Sequence, residues 1–320
     1  MRVFAPAKIN VHLEVKERRL DGFHDLESLF VCLDFGDELY FELSGKNGFW
    51  DLSLDRTSNP DIIKEDFLGE NNLISRAVCI FREKTGFEHG IKCVLNKKVP
   101  LGAGLGGGSS NAASTLLALN ELASTGLSEN ELLDMALSLG SDVPFFIKAG
   151  MEKTGKSNAA WVKGRGEHIF PLLLSPSYPV LLVKPPFQSN TAEAFALLSK
   201  YRRKQATKVS GTIVAAKTRG LSETSDMEKI WACSPDKWPF FNDFLDVLPN
   251  KEIYQEILLE LKNSGALFTG LSGSGSCCFG IFSEEKIAQT AETTIKSKKI
   301  HKNFTHLTFI LAKFTRSVLK

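Results

Sequence analysis

The run Pro100-Leu-Gly-Ala-Gly-Leu-Gly-Gly-Gly-Ser-Ser-Asn-Ala-Ala113 sets five glycines just ahead of a Leu- and Ala-rich helix-forming stretch, residues 114–123. Glycine lets the backbone pass through positive φ and approach a ligand closely. The first amides of the helix that follows have no intrahelical partner and carry the positive end of its dipole. Together these features make an anion cradle suited to phosphates. A tight turn packed under a helix is the plainer reading. So many glycines in succession, followed by Ser109 and Ser110, favour a ligand.

Three familiar phosphate binders are excluded. Gly102, Gly104 and Gly107 match G-x-G-x-x-G, but a dinucleotide fold needs a second strand after the helix, ending in an acidic residue about 20 positions on. Residues 127–139 read instead as another helix. No Lys-Ser or Lys-Thr pair closes the loop, so it is not a Walker A loop. Asp34-Phe35-Gly36 imitates a protein-kinase metal motif, but it precedes the glycines and no His-Arg-Asp triplet exists.

A chain of 320 residues suffices for two domains, expected at 1–165 and 166–320. A net charge of +2 and a pI near 8.1 are too balanced to imply nucleic acid as the main partner. No apolar run approaches the ~18 residues of a membrane span, and the N-terminal residues lack a signal-peptide core. The six cysteines show no C-x-x-C spacing, so buried, reduced thiols in a cytoplasmic protein are expected. The histidines form no metal-ligand pattern.

Alternation at Ile9, Val11, Leu13 and Val15 predicts a half-buried strand over 7–15. Further strands are expected at 26–35, 38–43 and 90–96, with helices at 72–84, 114–123 and 128–139, the last ended by Gly140. Residues 157–171 read as loop and hairpin. The second half reads as a strand at 178–183, a short helix at 191–199, and a helix at 251–262. Strands near 266–269 and at 277–282, a helix at 284–295 and a strand at 305–313 complete an α+β pattern. Residues 200–219 hold seven basic side chains and no acidic one, which predicts a solvated, mobile insertion. A basic arm that attracts an anionic substrate is the alternative.

Three separated clusters, Pro6-Ala-Lys-Ile-Asn10, the glycine run and Gly270-Leu-Ser-Gly-Ser-Gly-Ser276, resemble the three motifs of the GHMP kinase superfamily. The string Arg18-Arg-Leu-Asp-Gly-Phe-His24 with Leu26-Glu-Ser-Leu-Phe30 is similar to one branch of it. That branch phosphorylates the 2-hydroxyl of 4-diphosphocytidyl-2-C-methyl-D-erythritol in non-mevalonate isoprenoid synthesis. The resemblance implies a two-domain α+β fold: an N-terminal domain like ribosomal protein S5 domain 2, a ferredoxin-like C-terminal domain, and a site between them. It implies ATP and Mg2+, small-molecule partners only, and no membrane or nucleic acid. Another GHMP small-molecule kinase is the alternative, disfavoured by the Asp21 to His24 string. A non-catalytic, ligand-binding member is disfavoured by the presence of Lys8 and Asp142.

The same resemblance implies residue roles. Asp142 would accept the hydroxyl proton, with Lys8 as the neighbouring cation that polarises the hydroxyl. Taken singly, Asp142 reads as a helix-capping aspartate and Lys8 as a surface charge. Asn72, Pro100, Gly102, Gly104, Leu105, Gly106, Gly107, Gly108, Ser109 and Ser110 would surround ATP, with Ser109 or Ser110 as the candidate Mg2+ ligand. Asn10, Phe23, His24, Asp142, Thr191 and Phe195 would meet the acceptor, with His24 on the cytosine edge and the two phenylalanines on its faces. Thr191 and Phe195 lie one helical turn apart, on one side of a helix. A core aromatic is the competing reading of Phe195. Gly270, Ser272, Gly273, Ser274 and Gly275 would close the cleft, and Asn242-Asp243 would lie near that loop. Phe23 stands where the branch usually has tyrosine, and no role is carried into 200–238.

Overall fold

A computed structural model describes residues 1–58, 68–152, 159–172, 177–208, 224–298 and 307–315. The first sheet is built on two long strands, β1 (Arg2–Arg18) and β2 (His24–Ser44), joined by a hairpin. With β3 (Trp50–Leu54), β4 (Gly90–Asn96), β5 (Ala159–Gly164) and β6 (His168–Pro171), they form a six-stranded sheet ordered β3-β4-β2-β5-β6, with β1 on β2. The strands expected at 26–35 and 38–43 are thus one continuous strand.

Helices α1 (Leu73–Thr85), α2 (Gly107–Leu122), α3 (Glu129–Leu139) and α4 (Val143–Met151) cover one face of this sheet. Their ends follow local chemistry. Asn72 caps α1 by accepting from the Ile74 amide, Ser128 and Glu131 make a reciprocal capping box on α3, and Gly86 ends α1 in the left-handed region. Helix α4 was not foreseen, because its apolar residues are nearly all buried and show no amphipathic period. α2 begins at Gly107, so the last glycines and both serines form its first turn rather than a loop before it.

The second sheet is antiparallel and ordered β10-β7-β9-β8, with β7 (Pro179–Lys184), β8 (Phe268–Leu271), β9 (Cys278–Ile281) and β10 (Thr308–Lys313). Its outer face carries α5 (Thr191–Lys208), α7 (Lys251–Asn263) and α8 (Glu285–Ser297), packed through Leu181, Val183, Ile257 and Ile295. α6 (Thr224–Trp231) brings Trp231 against Trp238, with ring centres 4.7 Å apart. This is the α+β architecture expected of a ferredoxin-like second unit.

The two sheets pack against each other. Phe30 and Cys32 of β2 face the helices, whereas Leu29, Val31 and Leu33 join Ile9 and Val11 of β1 against Val180, Leu182, Phe279 and Ile281. The expected half-buried strand is therefore buried on both faces. Period-2 alternation reports two faces, and only the second sheet decides whether the other one meets water. The sheets change over between Pro171 and Pro179, beyond the division expected at residue 165, since β6 pairs with β5. We propose to divide the chain there.

The insertion expected from residue 200 onward is helical as far as Lys208, where α5 ends; residues 209–223 lie outside the described set. Lys, Arg, Gln and Ala are good helix formers, and cations in the last turns suit the helix dipole. Arg202 anchors that half by donating to Asp243 Oδ2 at 2.8 Å and to the Lys16 carbonyl at 3.2 Å. All six cysteines are unpaired, and Cys32, Cys93, Cys277 and Cys278 are buried.

Candidate active site

A cleft of about 1140 Å³ opens between the glycine run, the β1–β2 hairpin, α5 and the loop after β8. Its floor is set by β1. The β1–β2 register shifts between Pro6 and Lys8 and again between Asn10 and His12, bracketing the two polar residues that point inward. Lys8 is 3% exposed, with Nζ 3.3 Å from Asp142 Oδ2 and 4.5 Å from the centre of the Phe30 ring. It also donates to Asn10 Oδ1. Asn10 in turn donates to Ser28 Oγ at 2.9 Å, and Ser28 donates to the His12 carbonyl. Lys8 thus has no freedom to turn towards solvent.

Asp142 stands at the N-terminus of α4, but its side chain caps no helix amide. It points to Lys8 instead, so the capping reading fails, as does the surface reading of Lys8. The arrangement holds a carboxylate, about a third exposed, against a buried ammonium group in the wall of the cleft. Such a pair can take a proton from a bound hydroxyl while the cation offsets the charge that forms.

Gly102, Gly104 and Gly106 take φ of +60°, +75° and +69°. At Gly104 a Cβ would lie 2.0 Å from the Ser272 carbonyl oxygen, and at Gly106 it would meet Lys8 Cγ at 2.9 Å. Glycine is needed there so that the loop after β8 and the Lys8 side chain can both come in. No side chain caps the first amides of α2, leaving that turn as an anion cradle.

The loop after β8 is stitched onto the glycine run. Ser272 Oγ donates to the Gly104 carbonyl at 2.8 Å and accepts from the Asn10 amide at 3.2 Å, and the Cys277 amide donates to the Ala103 carbonyl at 3.1 Å. Asn242 Nδ2 reaches both the Leu271 and Gly273 carbonyls at 2.8 Å, and Thr191 Oγ1 lies 2.9 Å from Ser274 Oγ. Asn242 therefore holds this loop, as expected from its place in the sequence.

At the other end, Gly22 (φ +87°) and the Asp21 Oδ1 acceptor for the Phe23 amide turn the hairpin so that Phe23 and His24 both reach the cleft. His24 stacks on Phe195 with ring centres 5.1 Å apart and meets Ser199 Oγ at 3.3 Å through Nε2. Burial first, then the charges of Arg18 and Arg202, push the His24 imidazole below its usual pKa. Phe195 also meets Phe244 edge-on at 5.0 Å, so it is partly core and partly cleft wall. Phe23 is 50% exposed, and the Arg165 guanidinium lies 3.6 Å from its ring centre.

Of the expected site residues, the cleft gathers Lys8, Asn10, Phe23, His24, Pro100, Gly102, Gly104, Leu105, Gly106, Gly107, Gly108, Ser109, Asp142, Thr191, Phe195, Gly273 and Ser274. Asn72 does not line it; it caps α1, and the next residue, Leu73, does. Ser110 is fully buried with no partner for Oγ, so of the two serines Ser109 faces the opening. Gly270 and Gly275 lie outside the lining, and Ser272 acts as the buried tie already described.

Sequence reasoning missed Arg18, Lys97, Arg165 and Ser199, which line the cleft, as do Lys200 and Arg203 at the start of the stretch whose alternative reading was a basic arm. Lys97 is 1% exposed and bound to Asp37, whose Oδ1 also accepts from the Lys98 and Val99 amides at 2.7 and 2.8 Å. Burial lowers its amine below the ordinary range, and Asp37 opposes that shift. The pair Lys97-Lys98 just before the glycine run was the available signal, although charge alone does not show which lysine turns inward. Among the described residues no group of three His, Cys, Asp or Glu could hold a metal ion, and no helix is long and apolar enough to cross a membrane.

The sequence and the fold both have known relatives. The GHMP kinase N-terminal domain model matches residues 72–150, and the GHMP kinase C-terminal model matches 240–300. The chain is 36% identical over 288 residues to 4-diphosphocytidyl-2-C-methyl-D-erythritol kinase of Thermodesulfovibrio yellowstonii, covering 89% of this chain and 90% of that one. It is 35% identical over 287 residues to the chloroplastic enzyme of that name in Oryza sativa subsp. japonica, covering 89% of this chain but only 65% of the rice protein's length. A crystal structure of 4-(cytidine 5'-diphospho)-2C-methyl-D-erythritol kinase superposes with a TM-score of 0.69 at 26% identity, covering 98% of this chain and 99% of that one. Homoserine kinase from Cytophaga hutchinsonii, at 18% identity and a TM-score of 0.66, shares the fold. With both GHMP domains matched and a full-length bacterial relative above a third identical, the chain belongs to the GHMP kinases and, among them, to the 4-diphosphocytidyl-2-C-methyl-D-erythritol kinase family.

Proposed function

We propose that this chain transfers the γ-phosphoryl group of ATP to the 2-hydroxyl of 4-diphosphocytidyl-2-C-methyl-D-erythritol, a step of non-mevalonate isoprenoid precursor synthesis. The observation that carries the reading is the Lys8 Nζ–Asp142 Oδ2 contact of 3.3 Å beside the glycine cradle. Phosphoryl transfer asks a protein mainly for positioning and charge stabilisation, plus one group that handles the acceptor hydroxyl. In this reading the uncapped amides of α2 take the nucleotide phosphates. Asp142 accepts the hydroxyl proton as the new oxygen–phosphorus bond forms and the bond from the γ-phosphorus to the β,γ-bridging oxygen breaks, with ADP leaving, and Lys8 balances the charge on the in-line oxygens.

Mg2+ carried by ATP would neutralise phosphate charge. The donor set here fits an ion held mostly by the nucleotide, with a hydroxyl from Ser109, because no carboxylate cluster exists among the described residues. The cytosine would be met by Phe23, His24 and Phe195. Six unpaired cysteines suit a reducing compartment, and we take the cytoplasm as the place of action.

The test is a kinase assay on the purified protein with ATP and a panel of alcohols with and without a cytidine diphosphate group. Turnover confined to the cytidyl-diphosphate erythritol is expected. Equal turnover of mevalonate or homoserine would overturn the assignment.

A further inference from the structure

The consecutive residues Phe241 to Phe244 join three walls of the cleft, although only Phe244 lines it. Phe241 binds β1: its carbonyl accepts from the Leu13 amide at 2.8 Å, and its amide donates to His12 Nδ1 at 3.3 Å. Asn242 holds the loop after β8 through the Leu271 and Gly273 carbonyls. Asp243 Oδ2 accepts from the Val15 amide of β1 and from Arg202 Nη2 of α5, both at 2.8 Å. Arg202 Nη1 completes the ring by donating to the Lys16 carbonyl at 3.2 Å. Phe244 meets Phe195 of α5 edge-on.

Asp243 makes these contacts where β1 and α5 most need a fixed spacing. The β1–β2 register shifts between Val15 and Arg18, just before the hairpin that carries Phe23 and His24. Arg202 lies about two helical turns beyond Phe195, so holding it holds the rotation of the face that presents Phe195 and Ser199 to His24. Ring stacking tolerates sliding, so the His24–Phe195 contact alone does not fix that spacing. Neither Asp243 nor Arg202 lines the cleft; both face a separate cavity of about 450 Å³ behind it, together with Glu14 and Asp246. Burial pushes the Asp243 carboxyl above its ordinary pKa, outweighing the Val15 amide and Arg202, and the charges of Glu14 and Asp246 add to the push. Its charge is therefore held at a cost to folding, which points to placement rather than stability as its use.

We propose that Asp243 is a positioning residue: by joining β1 to α5 on one carboxylate oxygen, it sets the gap between the His24 hairpin and Phe195. It acts through the cleft walls and touches no substrate itself. A charge-assisted hydrogen bond constrains direction as well as distance, which is what a strut between a strand and a helix requires. That the gap admits the acceptor rests on the reading above; that the strut holds the gap does not.

The gap is read by pulsed dipolar distances between spin labels at Leu20→Cys on the hairpin and Gln205→Cys on α5, both exposed positions, in a Cys79→Ser/Cys233→Ser background that removes the exposed thiols. Asp243→Asn and Arg202→Gln are each expected to broaden the distance distribution. Calorimetry gives the second readout. With ADP saturating, the Kd for cytidine 5'-diphosphate should rise about 10-fold in either variant, the scale of one lost hydrogen bond to a charged group, while the Kd for ADP holds. The double variant should be no worse than Asp243→Asn, because both changes remove one contact. Ile257→Val, in the core under α7, lowers stability away from the strut and should move neither readout. An unchanged distribution, an unchanged cytidine 5'-diphosphate affinity, or an equal loss of ADP affinity would overturn the proposal. Arg202 is partly exposed, so Arg202→Gln decides the matter even if Asp243→Asn does not fold. A wild-type protein that binds no cytidine 5'-diphosphate overturns the acceptor reading, and the distances then judge the strut alone. If the strut variants behave as expected but the cytidyl-diphosphate erythritol is not phosphorylated, the strut stands and the assigned reaction falls.

Discussion

The two ends of the cleft are built in opposite ways. At the proposed transfer end, Lys8, Asn10 and Ser272 are buried, and each is fixed by contacts that cross between chain segments far apart in sequence: Lys8 to Asp142 and Leu105, Asn10 to Ser272, and Ser272 to Gly104. At the other end, Phe23, Lys200 and Arg203 are exposed, and the contacts of the aromatic residues are ring stacking of His24 on Phe195 and the Arg165 guanidinium over Phe23. The contrast matches the demands of each half of the job. Phosphoryl transfer rewards groups held within a fraction of an ångström. Recognition of a flat, charged acceptor tolerates adjustable walls that the ligand itself completes.

The largest expected effect falls at the transfer end. Asp142→Asn should lower kcat by about 10²–10⁴-fold, the worth of a positioned general base, while ATP still binds. Turnover within a few-fold of wild type would remove Asp142 from that role. Lys8→Met should also be slow, and the two losses should combine non-additively because the side chains touch. Additive losses in a double-mutant cycle would break the picture of one rigid unit.

Gly104→Ala probes the seam that makes this end rigid. The methyl group would meet the Ser272 carbonyl and sit at positive φ, so a stability loss of about 1–3 kcal/mol is expected, read by denaturant unfolding. A variant as stable as wild type would show that the two loops are not closely docked in solution.

At the acceptor end the effects should appear in binding. Phe195→Ala should weaken acceptor affinity by about 1–3 kcal/mol with ATP affinity nearly unchanged, and Phe195→Tyr should keep most of it. His24 stacks on the Phe195 face, so a base held there would displace or share that contact. If Phe195→Ala lowers only thermal stability, the contact with Phe244 is its main role and the clamp fails.

The smallest effect concerns pH. His24 has a folded pKa below the unfolded 6.5, chiefly through burial, so the unfolded state binds its proton first as pH falls. Its contribution is fully present above 6.5 and is lost as pH drops through the folded value. Thermal unfolding at pH 7.5 and pH 5.5 should show a smaller acid-side loss in His24→Gln than in wild type. An identical loss in both would mean that the imidazole titrates freely, as at an open surface.

Much of the transfer end was legible because its motifs are contiguous and their chemistry is local. A glycine run ahead of a helix makes an anion cradle wherever it folds, and Asp21-Gly22 turns a hairpin by itself. Asn72 shows the limit: a residue expected beside the nucleotide spends its side-chain oxygen capping α1. Ser109 and Ser110 were indistinguishable by sequence, and helix rotation alone turned one to the cleft and the other into the core.

The sequence by itself determined the glycine run ahead of a helix, the order of most strands and helices, and the polar residues proposed for the chemistry. Local backbone preference and hydrophobic period decide these within a few residues of chain. Only the tertiary structure decided that β1 is buried on both faces, that α5 runs on through Lys208, and that Arg18, Arg165, Lys200 and Arg203 line one cleft. Burial and charge neighbourhood are set by segments more than a hundred residues away, as Asp243 on the Val15 amide and Ser272 on Gly104 illustrate. No local pattern carries that information, because the free energy of a charge depends on what the rest of the chain places around it.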